Sequence, residues 1–377
     1  MIDQFIQFVR DLYQTNDFVP LHEPKFEGNE KKYVLDTIDS TFVSSVGKYV
    51  DQFEIEFAKY VGAKYAVATV NGTAALHVAL KLVGVVQGDE VITQPLTFVA
   101  TCNAIHYCGA SPTFVDIDEH TLGLSSVKLK LFLESHCLVR DNTCYNKSTG
   151  KIIRACVPMH TFGHPVEIDT IQILCQQYHI ALIEDAAESL GSFYKEQHTG
   201  TFGDLGVFSF NGNKVITTGG GGMIVTNNEA FAKRAKHLTT TAKLPHQWDY
   251  IHNEVGYNYR MPNINAALGL AQLENLPNLL KRKRKVSMRY KAFFEKYNDI
   301  TYLIEPNGAR ANYWLNTILC KDEAMKMLFL KETNAAGVMT RPAWKMMNEL
   351  DMFNAVVNCE IAKNITSRLI NIPSTPR

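Results

Sequence analysis

Between residues 64 and 224, short apolar runs alternate with stretches of helical periodicity. AVATV at 66–70 is followed by TAALHVALKLVG, EVITQP by TFVATCNAIHYCG, and PTFVDID by a more polar region; RACVPMH is followed by EIDTIQILCQQYH and IALIEDAA by a glycine-rich passage. Strand and helix in strict turn, with helices near the length a crossover needs, predict an α/β fold whose mostly parallel central sheet is covered by helices. Functional residues in such sheets gather at the carboxyl ends of the strands.

Outside this region the pattern changes. MIDQFIQFVRDLYQTNDF mixes acidic residues into its apolar positions, so it reads as an amphipathic helix and not as a signal peptide. SHCLVRDNTCYNKSTG looks like an inserted loop or hairpin without chemistry of its own. Beyond Asn228 long helices follow, one over 264–297, and its KRKRK cluster reads as a solvated helix face. YWLNTILC, KDEAMKMLFLKETNAAG and VMTRPAW then suggest strand, helix and strand of a smaller C-terminal α+β domain. The expected organisation is an N-terminal helix (1–20), a large α/β domain (21–260), and a long connecting helix with the small domain (261–377).

Composition narrows the partners. The 377 residues carry 38 Lys plus Arg against 38 Asp plus Glu, a formal net charge of zero, which argues against a nucleic-acid binder or an acidic disordered tail. No apolar run approaches the ~18 residues of a membrane span. Eight cysteines are scattered without CxxC or metal-like spacing, as expected of reduced thiols in a cytoplasmic protein, and no metal site is expected. GxxxxGK[ST], HExxH, strand-linked GxGxxG and GxSxG are absent, which removes the simplest P-loop, zincin, dehydrogenase and hydrolase readings.

Three strand-end features remain. Asn71, Gly72 and Thr73 open a helix directly after a strand, which makes either a phosphate cradle or an ordinary helix start. Glu184 and Asp185 close an otherwise apolar strand; a carboxylate there caps the next helix or meets a cation such as a protonated ring nitrogen. Lys214 lies in a turn just before four successive glycines, Gly219 to Gly222, either solvated or placed to form a Schiff base. Together they match what pyridoxal 5′-phosphate needs: a phosphate site, an acid for the pyridine nitrogen, and an amine for the aldehyde. Phe98 is the candidate to stack on its ring, or else a core residue.

The chain resembles the DegT/StrS sugar-nucleotide aminotransferases, which are fold type I pyridoxal-phosphate enzymes. The resemblance is carried by NGTAALHVAL, QPLTFVATCNAI, IEDAAESLGS, GTFGDLGVFSFNGNK, ITTGGGGMIVT, GYNYRMPNINAALGLAQLE and TRPAW, and it spans nearly the whole chain. It implies that Lys214 forms the imine and Asp185 holds the pyridine nitrogen. Glu188 would lie against the ring, where many members carry Gln or His. Phe98 would stack, and Gly72, Thr73, Ala74 and Ser209 would hold the phosphate. Asn258 would reach the phosphate from the other subunit of a homodimer with shared active sites. Phe42, Val43, Ser44, Ser45, His160, Arg341 and Trp344 match segments around the sugar nucleotide.

The implied reaction moves an amino group from glutamate to the C4 ketone of a nucleotide-linked 4-keto-6-deoxy sugar. FNGNK, NYWLN and TRPAW favour UDP-4-keto-6-deoxy-N-acetylglucosamine, with GDP-4-keto-6-deoxymannose, as in perosamine synthases, the alternative. C3 dehydration would replace the lysine by histidine, and a non-catalytic nucleotide-sugar-binding regulator would not need the intact set of Lys214, Asp185 and Asn258.

Overall fold

A computed structural model describes residues 1–353, 355 and 357–377. Its large sheet has seven strands: β1 (Tyr65–Thr69), β2 (Glu90–Thr93), β3 (Ser111–Phe114), β4 (Ile153–Val157), β5 (Ala181–Asp185), β6 (Leu205–Ser209) and β7 (Gly222–Thr226). They lie in the order β1-β7-β6-β5-β4-β2-β3, with β7 antiparallel to both neighbours and the β6-β5-β4-β2-β3 contacts parallel. Six strands therefore point the same way, and their carboxyl ends share one edge. Helices Gly72–Leu82, Val99–Tyr107 and Ile168–Gln177 fall within the predicted helical stretches. The antiparallel β7 lies in the glycine-rich stretch, where a lone apolar run cannot reveal its direction.

The inserted segment folds as a two-stranded hairpin, Cys137–Arg140 with Thr143–Asn146. The long helix, Asn263–Phe294, leads to a four-stranded antiparallel sheet of β8 (Ile300–Tyr302), β9 (Asn316–Cys320), β10 (Arg341–Pro342) and β11 (Leu369–Ile372), in the order β8-β9-β11-β10. The strand expected from VMTRPAW shrinks to two residues. Phe5, Val9, Leu12 and Tyr13 of the N-terminal helix Ile2–Tyr13 pack among Tyr290, Phe294, Ile318, Phe329 and Ile370, so this helix completes the core beneath the small sheet. Asp116, just past β3, joins the two parts by accepting the Ile361 and Ala362 N–H groups (2.9 and 3.0 Å) at the start of helix Glu360–Arg368. Among the described residues, no helix is long and apolar enough to cross a membrane. All eight cysteines are buried and free.

The basic cluster on the long helix is not a solvated face. Arg282 pairs with Glu27, and Arg284 pairs bidentately with Glu305 at 2.8 Å. Lys283 is fully buried and donates to the Trp314 and Ser374 carbonyls at 3.1 and 2.7 Å. Three of the five cations thus fasten the fold, Lys283 internally and Arg282 and Arg284 through part-exposed pairs, because the helix passes against the small domain and residues 21–27.

Burial holds the Lys283 ammonium well below its usual pKa. Between the lowered folded value and the unfolded one the unfolded chain binds more protons than the folded chain, so the penalty of burial fades as pH rises through that window toward the unfolded lysine value. Urea unfolding of the wild type and of Lys283→Met at pH 7 and pH 9.5 checks this. The stability difference is expected to move in favour of the wild type at the higher pH, and an unchanged difference would contradict the assignment.

Candidate active site

A cavity of about 320 Å³ opens where β1, β5 and β6 end. Its lining includes Gly72 and Thr73 after β1, Phe98 after β2, Met159 after β4, Asp185 and Glu188 at the end of β5, Ser209, and Lys214. Two tryptophans complete it from the small domain, Trp314 before β9 and Trp344 after β10. The sequence reading singled out Trp344 but passed over Trp314, Met159, Asn211 and Asn213. NYWLN was its only signal for Trp314, because nothing local says that this loop folds back over β6.

At the narrow end, the Asn71 side chain caps the helix by accepting the Ala74 N–H (2.8 Å). That engages the Ala74 donor, which was expected to serve a phosphate, and leaves the Gly72 and Thr73 end facing the cavity. A Cβ on Gly72 would stand 3.0 Å from Ser209 Cβ, so glycine lets the helix start lie this close to the end of β6 without strain. A helix start with a hydroxyl beside it suits an anion.

The two carboxylates that close β5 have different fates. Glu184 is saturated: it accepts N–H groups from Gly200 (2.7 Å), Phe202 (2.6 Å) and Gly203 (2.8 Å) and lies 3.0 Å from His160 Nε2. It holds the following turn against the strand. Asp185, facing the cavity, receives, among the described residues, the Thr101 hydroxyl (2.7 Å) and the Ala187 N–H (3.2 Å). Burial raises its pKa, so its charged form calls for a cation.

Glu188 is equally enclosed. Its Oε2 accepts the Phe162 N–H (2.8 Å) and its Oε1 the Lys214 ammonium (3.2 Å). Desolvation pushes this carboxyl up to about 7, against the pull of Lys214. Lys214 Nζ also lies 3.9 Å from the centre of the Trp314 ring. Phe98 is 47 % exposed at the mouth, its ring 5.9 Å from that of Trp344.

Several expected substrate contacts lie elsewhere. His160 is wholly buried; with Nε2 on Glu184 and Nδ1 accepting the Val166 N–H (3.3 Å), its ring serves the fold and does not line the cavity. Phe42, Val43, Ser44 and Ser45 form a strap over the start of the long helix: Asn263 donates from its side chain to the Phe42 carbonyl and from its backbone to the Ser44 carbonyl, each at 2.6 Å. Arg341 is exposed on β10, paired in register with Asn371. Asn258 is exposed and holds Arg260 at 3.3 Å. None of these lines the cavity of its own chain.

A cavity with an anion cradle at one end, an under-satisfied buried carboxylate at its base and an amine between them fits pyridoxal phosphate. Residues 24–377 match the DegT/DnrJ/EryC1/StrS aminotransferase family. The chain belongs to that family and is a pyridoxal-phosphate-dependent sugar aminotransferase of fold type I. It is 37 % identical to GDP-perosamine synthase of Escherichia coli O157:H7, over 95 % of this chain and 94 % of the relative. It is likewise 37 % identical to the putative pyridoxal phosphate-dependent aminotransferase EpsN of Bacillus subtilis, over 89 % and 83 %. Among solved structures it is similar to Helicobacter pylori PseC, an aminotransferase of pseudoaminic acid biosynthesis, with a TM-score of 0.86, 25 % identity and coverage of 95 % and 94 %.

Gly72→Ala tests the cradle. The added methyl crowds Ser209 and occupies the narrow end, so pyridoxal phosphate affinity is expected to fall about tenfold, roughly 1.4 kcal/mol, in a protein that still folds. Fluorescence titration of the cofactor-free protein measures it.

Proposed function

We propose that this chain transfers an amino group from glutamate to the C4 ketone of GDP-4-keto-6-deoxymannose, giving the 4-amino-4,6-dideoxy sugar. The observation that carries this reading is the similarity to a GDP-perosamine synthase across nearly the full length of both chains. UDP-4-keto-6-deoxy-N-acetylglucosamine, favoured by the short motifs, takes second place to a likeness that extends over the whole fold.

In this reading Lys214 is the amine that meets the cofactor aldehyde, and Gly72, Thr73 and Ser209 take the phosphate. Asp185 gains its charge by holding a protonated ring nitrogen, which supplies the cation that its enclosure lacks. Bound pyridoxal phosphate supplies an electron sink for a carbanion at the reacting carbon. Phe98 covers one side of the cofactor space, and Trp344 flanks the entrance through which a sugar nucleotide arrives. Lys214 Nζ carries the proton to and from the reacting carbon on one face, which fixes the configuration of the new amine.

A homodimer completes the proposal. Asn258 is assigned to the cavity of a second copy, since it stands exposed outside its own. The segment leading to it exposes Trp248 (71 %), Tyr250 (80 %) and Val255 (83 %), an apolar surface that a second copy would cover. The eight buried free thiols fit a cytoplasmic location.

Incubation with glutamate and either GDP-4-keto-6-deoxymannose or UDP-4-keto-6-deoxy-N-acetylglucosamine, followed by mass spectrometry, is expected to give an aminated GDP sugar; amination of the UDP sugar alone would reverse the nucleotide assignment. Lys214→Ala is expected to lose both turnover and the visible absorbance of the bound cofactor, and full activity would refute its role. Asp185→Asn should retain cofactor while losing most of the rate, as read from single-turnover absorbance.

A further inference from the structure

Lys214 and Glu188 meet in an enclosure built from both parts of the fold. The Glu188 side chain is 1 % exposed and that of Lys214 13 %. One Glu188 oxygen is fixed by the Phe162 N–H, and that donor is aimed by a left-handed backbone at Phe162 (φ 56°), an uncommon conformation for a residue with a side chain. Phe162 holds it because its ring is fully buried, 5.0 Å from the Trp344 ring and 6.5 Å from the Trp314 ring. Packing therefore enforces the strain, and the strain points an N–H at the carboxylate.

The other side of the ammonium is equally fixed. Trp314 donates its Nε1–H to the Asn213 carbonyl (2.7 Å) and its backbone N–H to Asn312 Oδ1 (2.7 Å), while its carbonyl receives Lys283. The Asn312 side chain in turn donates to the Glu188 and Leu190 carbonyls at 2.8 and 2.9 Å. The ammonium thus sits between an indole face and a carboxylate that are locked to each other. An amine that must attack a carbonyl has to shed that proton, and Glu188 Oε1 is the acceptor within hydrogen-bond distance.

We propose that Glu188 is the proton store of Lys214: within the hydrogen-bonded pair, a proton passes from Nζ to Oε1 and back, so that the nucleophilic amine is released by direct transfer to its neighbour. The Nζ–H bond breaks with its electron pair left on nitrogen, and an O–H bond forms on Glu188. Ammonium and carboxylate become amine and carboxylic acid, with no change in net charge. Glu188 touches the reacting nitrogen and is a catalytic residue in this sense. The desolvation that lifts its pKa makes it a ready acceptor. A glutamine here would hold the Phe162 N–H but could not store a proton.

The other charged and titratable groups around the pair are accounted for. Asp185, from the same strand end, pushes the Glu188 pKa up. His22, from the segment before Glu23, is kept neutral by burial and by the nearby Lys283 and Lys214 cations. Lys283, from the long helix, is committed to two carbonyls.

The inference rests on Lys214 being the cofactor's amine, yet its test needs no cofactor. Full-length protein freed of cofactor is pulsed with acetic anhydride at pH 7 to 8.5, and acetylation of Lys214 is compared by peptide mass spectrometry with that of exposed Lys285. An ordinary lysine gains about thirtyfold in reactivity over this range, since its amine fraction rises tenfold per pH unit below its pKa. In the wild type, Lys214 is expected to change by less than about threefold, because a proton passed within the pair leaves the amine fraction independent of pH. Glu188→Gln should restore the steep profile at Lys214. A steep wild-type profile overturns the proposal without recourse to any variant, and so does a flat profile that survives in the glutamine variant. Failure of the Lys214 assignment itself would appear separately, as visible absorbance retained in Lys214→Ala.

Discussion

Desolvation of negative charge at the end of β5 is the constraint around which the site is organised. Glu184 and Asp185 at the end of β5 and Glu188 in the turn after it are all buried, where an unpaired carboxylate is costly. Each is satisfied differently. Glu184 is surrounded by backbone donors and becomes structural, Glu188 shares one backbone donor with one ammonium, and Asp185 is left short of partners and open to the cavity. Three residues of one chemical type thus become, in the proposed function, a fastener, a proton acceptor and a cation site, according to how many donors surround each.

Those donors come from across the chain. The Phe162 N–H is presented by a strained turn after β4, Thr101 comes from the helix after β2, and the Trp314 ring arrives from the small domain. Lys283 anchors Trp314 from below, so a cation of the long helix, far from the chemistry, helps to set the position of Lys214. Loosening of the small domain would be felt at the amine through Trp314 and Asn312 before it changed the sheet.

The balanced charge takes on a different meaning in this setting. Pyridoxal phosphate and a nucleotide diphosphate are both anionic, and a chain of zero net charge offers no general field to draw them in. In the proposed function, binding depends on placement: a helix start at Gly72 beside Ser209, one ammonium, and any donors a second copy adds. The Lys281–Lys285 cluster supplies little of this, since three of its members are tied into the fold.

The order of residues alone determined the alternating α/β architecture and the positions of Gly72, Asp185 and Lys214 near strand ends, because strand period, helix starts and turns are local properties of the chain. The same local logic pointed to Phe98, whereas Ser209 and Trp344 came from the family resemblance alone. It could not separate Glu184 from Asp185, foresee that His160 would be consumed by the fold, or find Trp314. Burial, hydrogen-bond supply and the pairing of Lys214 with Glu188 depend on segments distant in sequence, whose approach no local pattern encodes. Only the tertiary structure decided which charges are satisfied and which remain available for chemistry.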